Sequence, residues 1–72
     1  MKLSQAQVGR YYKIESLSLL KELAKRMAVL GLNTGVLIEL LSLYKHGAVV
    51  KTVNGNIALG SDVLRFIQVS SI

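Results

Sequence analysis

Cysteine is absent from this 72-residue chain. That excludes disulfides and removes the thiolates of Cys-based zinc clusters. A chain this short buries only roughly 60% of the surface that its unfolded form exposes, and many chains of similar size depend on such staples. Cohesion must here come from aliphatic packing, for which 51% apolar residues is a generous supply. The lack of thiols fits a reducing compartment. Proline is also missing, so the turns must be built from glycine and asparagine. Without tryptophan, the clustered aromatics of a groove that reads proline-rich peptides are not available. Long hydrophobic runs are lacking as well. A membrane span takes about 20 apolar residues, and "VLGLNTGVLIELLSLY" is interrupted by Asn33, Thr34, Gly35 and Glu39. The opening "MKLSQAQVGR" has no apolar stretch of the kind a signal peptide needs.

The inventory of reactive groups is equally thin. His46 is the only histidine and falls in the turn-like "YKHGA", whereas transition-metal sites generally combine several imidazoles, thiolates or carboxylates. The carboxylates Glu15, Glu22, Glu39 and Asp62 are far apart in sequence, with no spacing that pairs an acid with a base. Gly55 to Gly60 matches the first six positions of a phosphate-binding loop, but Ser61-Asp62 follows where Lys and Ser/Thr are required. The residues point to neither enzyme nor bound cofactor or metal. Nine basic residues against four acidic ones leave a formal charge of +5, which favours acidic partners, nucleic acid or an anionic surface without bearing on fold.

What is present is pattern. In "RYYKIESL", Tyr12 and Ile14 alternate with Lys13 and Glu15, as in a half-buried strand. In the following segment Leu20, Leu23, Ala24, Met27 and Leu30 recur at helical spacing, with Ser18 as the expected N-cap. Lys21, Lys25 and Arg26 form a basic patch on the opposite face. Gly31 suits a left-handed terminator, with Leu32 folding back on Met27. "GVLIELLSLY", opened by Gly35, is apolar on both alternating faces, as expected of a long, bent strand shared by two halves of a small barrel. Asn54-Gly55 predicts a type I′ hairpin. That turn sets Val53 opposite Asn56, Thr52 opposite Ile57 and Val50 opposite Leu59, with Ala48, Val50, Thr52, Ile57 and Leu59 on the core face. Gly60 ends this hairpin, Ser61 is expected to cap a short helical turn, and "IQVSSI" reads as a last strand with Ile67 and Val69 inward.

These features together resemble the ferrous iron transport A family, FeoA. The resemblance is carried by "LGLNTG" with Ile38, by "HGAVVKTVNGNIALG", and by Asp62, Ile67 and Val69. In that family a helix ends in a Leu-Gly-hydrophobic turn, a second glycine opens the long strand, and "IAL" precedes the final helical turn. The chain departs from the common pattern at Ala48, where many relatives carry proline, and at Gly60, where many carry a basic residue. The resemblance implies a mainly β, five-stranded, partly open SH3-like barrel with one inserted helix, spanning residues 1–72 as one domain. It further implies a cytoplasmic accessory module without catalytic groups or cofactor. Such a module would act by protein contact on the cytoplasmic GTPase domain or loops of the membrane ferrous transporter FeoB, with peripheral membrane association through that partner and possible homo-oligomers. Lys21, Lys25, Arg26, Tyr11, Tyr44, Lys45 and His46 are the expected contact residues. Gly31, Gly35, Asn54, Gly55 and Gly60 are the expected turn and cap positions. The alternative reading is a nucleic-acid-binding small barrel, or a stand-alone relative of the SH3-like domain of diphtheria-toxin-repressor-type iron regulators. No motif for sequence-specific nucleic-acid reading accompanies it.

Overall fold

The computed structural model describes residues 1–72. A 3-10 turn over Leu3–Gln5 is followed by β1 (Tyr11–Leu17), α1 (Lys21–Val29), β2 (Leu37–Tyr44), β3 (Gly47–Thr52), β4 (Gly55–Gly60), α2 (Ser61–Leu64) and β5 (Ile67–Ser71). All pairings are antiparallel, in the order β4-β3-β2-β1-β5. The result is an open SH3-like fold.

The sheet curls because two of its pairings are irregular. Register shifts between Leu40 and Ser42 in the β2–β3 pair and between Ile14 and Ser16 in the β1–β5 pair. Such bulges bend a strand and increase its twist. β2 is accordingly shared: Leu37, Ile38 and Glu39 pair with β1, and Glu39 to Tyr44 pair with β3. Inside the curl lies a core of 14 buried apolar residues that includes Tyr12, Ile14, Ile38, Leu40, Val50, Ile67 and Val69. Tyr12 keeps its polar end satisfied, since its hydroxyl accepts a hydrogen bond from the Gln7 N–H at 2.8 Å.

Beyond the Leu30 C-cap, α1 is terminated by Gly31, where φ is +92°. The Leu32 N–H donates to the Met27 carbonyl at 2.8 Å and the Gly31 N–H to the Ala28 carbonyl at 3.0 Å, the paired bonds of a Schellman ending. Gly35 also takes a positive φ, +89°, in the turn that leads into β2.

Three expectations are corrected. Ser18 does not cap α1: the N-cap is Leu20, extended at ψ 147°, with no side-chain cap bond. Ser61 is likewise the first residue of α2, after an uncapped Gly60. The hairpin register differs by two residues, with Thr52 opposite Gly55, Val50 opposite Ile57 and Ala48 opposite Leu59. The connecting pair is thus Val53-Asn54, and φ is positive only at Gly55, +110°, which excludes a type I′ turn. The Thr52 hydroxyl explains the choice. It accepts from the Asn54 N–H at 3.0 Å and donates to the Gly55 carbonyl at 3.1 Å, tying the loop together. A two-residue slip preserves side-chain parity, so Ala48, Val50, Thr52 and Leu59 are still buried and Lys51 and Asn56 still exposed. The N-terminal segment, unassigned from the sequence, belongs to the fold: Leu3 and Ala6 are buried, and Val69 exchanges two backbone hydrogen bonds with Met1, 2.7 and 2.9 Å.

Thr52→Val retains shape and removes both hydroxyl bonds. It should cost about 1 kcal/mol and lower the melting temperature by about 4–8 °C. An unchanged melting curve would show that the hydroxyl does not hold the loop.

Candidate interaction surface

The helical stripe of α1 is only partly covered. Met27 is buried and Leu23 and Ala24 are half-buried, but Leu20 is 84% exposed and Leu30 41%. The reason is length. The helix proper starts at Lys21 and ends at Val29, so Leu20 and Leu30 lie at its two caps, beyond the turns that face the core.

At the N-terminal end of α1 a groove forms. The Ser18 N–H donates to the Phe66 carbonyl at 2.9 Å, pinning the entry of the helix to the link between α2 and β5. Leu19, Leu20 and Leu23 then line one side, with Phe66 and Asp62 opposite. Phe66 is 44% exposed. A second, shallower hollow shares Leu20 and Leu23 and adds Lys21, Glu22 and Arg26. The Arg65 guanidinium lies 5.8 Å from the Phe66 ring centre, within cation–π range. The outcome is an apolar strip bordered by Lys21, Arg26 and Arg65, with Lys25 exposed on the same helix.

The other contact residues expected from the sequence lie elsewhere. Tyr11, 58% exposed, pairs with Glu39 where β1 and β2 meet and adjoins the exposed Leu37. Tyr44, Lys45 and His46 are exposed at the turn between β2 and β3. Tyr44 and His46 line a hollow with Val49 and Ala58. The seven residues therefore fall on three separate surfaces. The Leu20–Phe66 groove escaped the sequence reading. Its one available signal was Leu19-Leu20, two consecutive leucines that one helical stripe cannot both bury.

No three His, Cys, Asp or Glu side chains gather in one place. Glu15, Glu22 and Asp62 are exposed and Glu39 half-buried. Glu15 accepts a hydrogen bond from the Ser70 hydroxyl at 2.5 Å. No helix is long and apolar enough to cross a membrane.

Residues 1–71 match the FeoA domain model. The chain belongs to the FeoA domain family. Among solved structures, the FeoA protein from Chlorobium tepidum superposes with a TM-score of 0.90 at 20% identity, over 100% of this chain and 70% of that one. The iron(II) transport protein A from Clostridium thermocellum gives 0.89 at 28% identity; this FeoA chain is covered completely but spans 46% of that protein. ScaR with bound Zn2+ gives 0.88 at 20% identity, over 100% of this chain and 37% of ScaR, a likeness of fold. Among curated protein sequences, none matches significantly.

Proposed function

We propose that this FeoA-domain chain is a non-catalytic accessory module of ferrous iron uptake. It acts in the cytoplasm by contact with the cytoplasmic GTPase domain, or a neighbouring loop, of a FeoB-type transporter. The observation that carries the reading is membership of the FeoA family over residues 1–71. It is supported by the 28% identical iron(II) transport protein A and by a surface suited to protein contact. That surface is the Leu20–Leu23–Phe66 strip, with Lys21, Arg26 and Arg65 around it and Glu22 and Asp62 beside them. An apolar centre with a charged rim is the usual anatomy of a protein interface, the centre giving affinity and the rim steering association.

The test is binding of the purified chain to the transporter's cytoplasmic domain, followed at low and high salt. Phe66→Ala should weaken binding by about tenfold, the loss of roughly 1.4 kcal/mol at an interface centre. Reversing Lys21, Lys25 and Arg26 to Glu should slow association and flatten its salt dependence. Substitutions at Tyr11, Tyr44, Lys45 and His46 should have smaller effects. Absence of a complex, together with unchanged iron uptake in cells lacking the chain, would remove the proposal. Salt-dependent binding to DNA or RNA in its place would favour the nucleic-acid reading.

A further inference from the structure

The two edges of the sheet are finished differently. At β5 the outer edge is closed: the Met1 amino group donates to the Val69 carbonyl, the Val69 N–H donates back to Met1, and Lys2 bridges Gln68. β4 has no such cover. It pairs with β3 alone. None of the backbone hydrogen bonds outside regular elements involves residues 55–60. The only other bond it makes, from the Thr52 hydroxyl to the Gly55 carbonyl, also comes from β3.

Open edges are normally blunted by lysine, proline, a bulge or a covering segment. β4 has none of these. Between Thr52 and Ser61 there is no charged residue and no proline, in a chain of net charge +5. The β3–β4 register runs without a shift from Thr52↔Gly55 to Gly47↔Gly60. Asn56 and Ala58 are exposed and Ile57 half-buried.

We propose that the β4 edge is an interface for a second copy of this chain, pairing antiparallel with the same strand about a two-fold axis at Ala58. An uncharged edge offers nothing to attract a charged segment, whereas it matches another edge that also carries no charge. In this pairing Ala58 faces its own equivalent and Ile57 faces Leu59 of the second copy, so inward and outward residues keep their sides across the new pair. The interface is isologous and closes at two subunits. Repulsion does not oppose it. Lys51 stands on β3 beside Asn56, so the two Lys51 positions are three strand spacings apart across the sheet, about 14 Å, and four residues apart along it, about 20 Å in all, against a screening length of about 8 Å. The hollow formed by Tyr44, Val49 and Ala58 is brought against its equivalent and adds apolar contact. A single strand edge with this flank is small for an interface, so the dimer is concentration-dependent. The surface is distinct from the Leu20–Phe66 groove, and the inference stands apart from the iron-uptake reading.

Sedimentation velocity over a dilution series reads it directly. The expected result is a monomer–dimer equilibrium that Ala58→Lys shifts to monomer at every concentration, with unchanged circular dichroism because Ala58 is exposed. The chain has no native thiol, so Ala58→Cys supplies the only one, and oxidation should yield a disulfide dimer faster than for the exposed Ser4→Cys. A chain that stays monomeric at millimolar concentration, or a dimer that Ala58→Lys leaves intact, would overturn the proposal. Equal cross-linking rates for the two cysteine variants would do so as well.

Discussion

Gly47→Ala should lower the melting temperature by about 10–20 °C, corresponding to about 2–3 kcal/mol for a chain of this size. Gly47 is buried and pairs with Gly60 where β3 meets β4. A Cβ at this position would stand 2.4 Å from the Leu59 carbonyl oxygen. That oxygen belongs to backbone, so relief requires the two strands to separate. The strands are also anchored here, because the Ser61 N–H donates to the His46 carbonyl at 2.9 Å just beyond the pair. Gly60→Ala is the control. Its Cβ would meet Asp62 Oδ1 at 2.6 Å, the end of a flexible, exposed side chain that can turn away. Thermal melts of the two variants should differ by most of the Gly47 effect. Similar melting points would show that the β3–β4 approach is looser than the structure describes.

Gly31→Val is the second large effect, about 3 kcal/mol. Backbone strain is the main cause: a β-branched residue is poorly tolerated at φ +92°, whereas the Asn54 Nδ2 that the new Cβ would meet at 2.8 Å is the end of an exposed side chain that can turn away. Gly31→Asn tolerates the left-handed backbone, so it should cost about 1 kcal/mol. If the valine and asparagine variants unfold at the same denaturant concentration, left-handed strain is not what makes glycine necessary.

The elements that were legible in the sequence are those in which one periodic face is buried. Tyr12 and Ile14, and Ile67 and Val69, alternate with exposed or half-buried neighbours and lie in the core. The double-faced apolar pattern of β2 signalled a strand that bends between two partners, and the shift at Leu40–Ser42 is where it bends. The hairpin shows the limit. Asn54-Gly55 marks the loop, but the register depends on which residues adopt positive φ and on a hydroxyl that reaches along the backbone, and neither has a periodic signature. Leu3 and Ala6 escaped notice because a 3-10 turn and an extended stretch bury single residues without a repeat. For function, the order of glycines and hydrophobic residues pointed to the family. The groove did not emerge, because it requires Leu20 and Phe66 to be brought together by the Ser18–Phe66 hydrogen bond. A contact between two elements so distant in sequence leaves no local pattern.

The position of β1 has a kinetic consequence. It is the first strand along the chain, and it sits between β2 and β5, the last. During synthesis β2 can pair with β1, β3 with β2 and β4 with β3 in turn, yet the other side of β1 stays open until residues 67–71 have emerged. The contact from Met1 to Val69, separated by 68 positions, closes only then. Folding rates fall as such long-range pairings come to dominate, towards milliseconds to seconds for small β barrels. A nascent chain stalled before β5 would leave Tyr12 and Ile14 beside an unpaired strand, the kind of exposure that invites association with other chains. Completion of this barrel is therefore a late, all-or-none event governed by its last few residues.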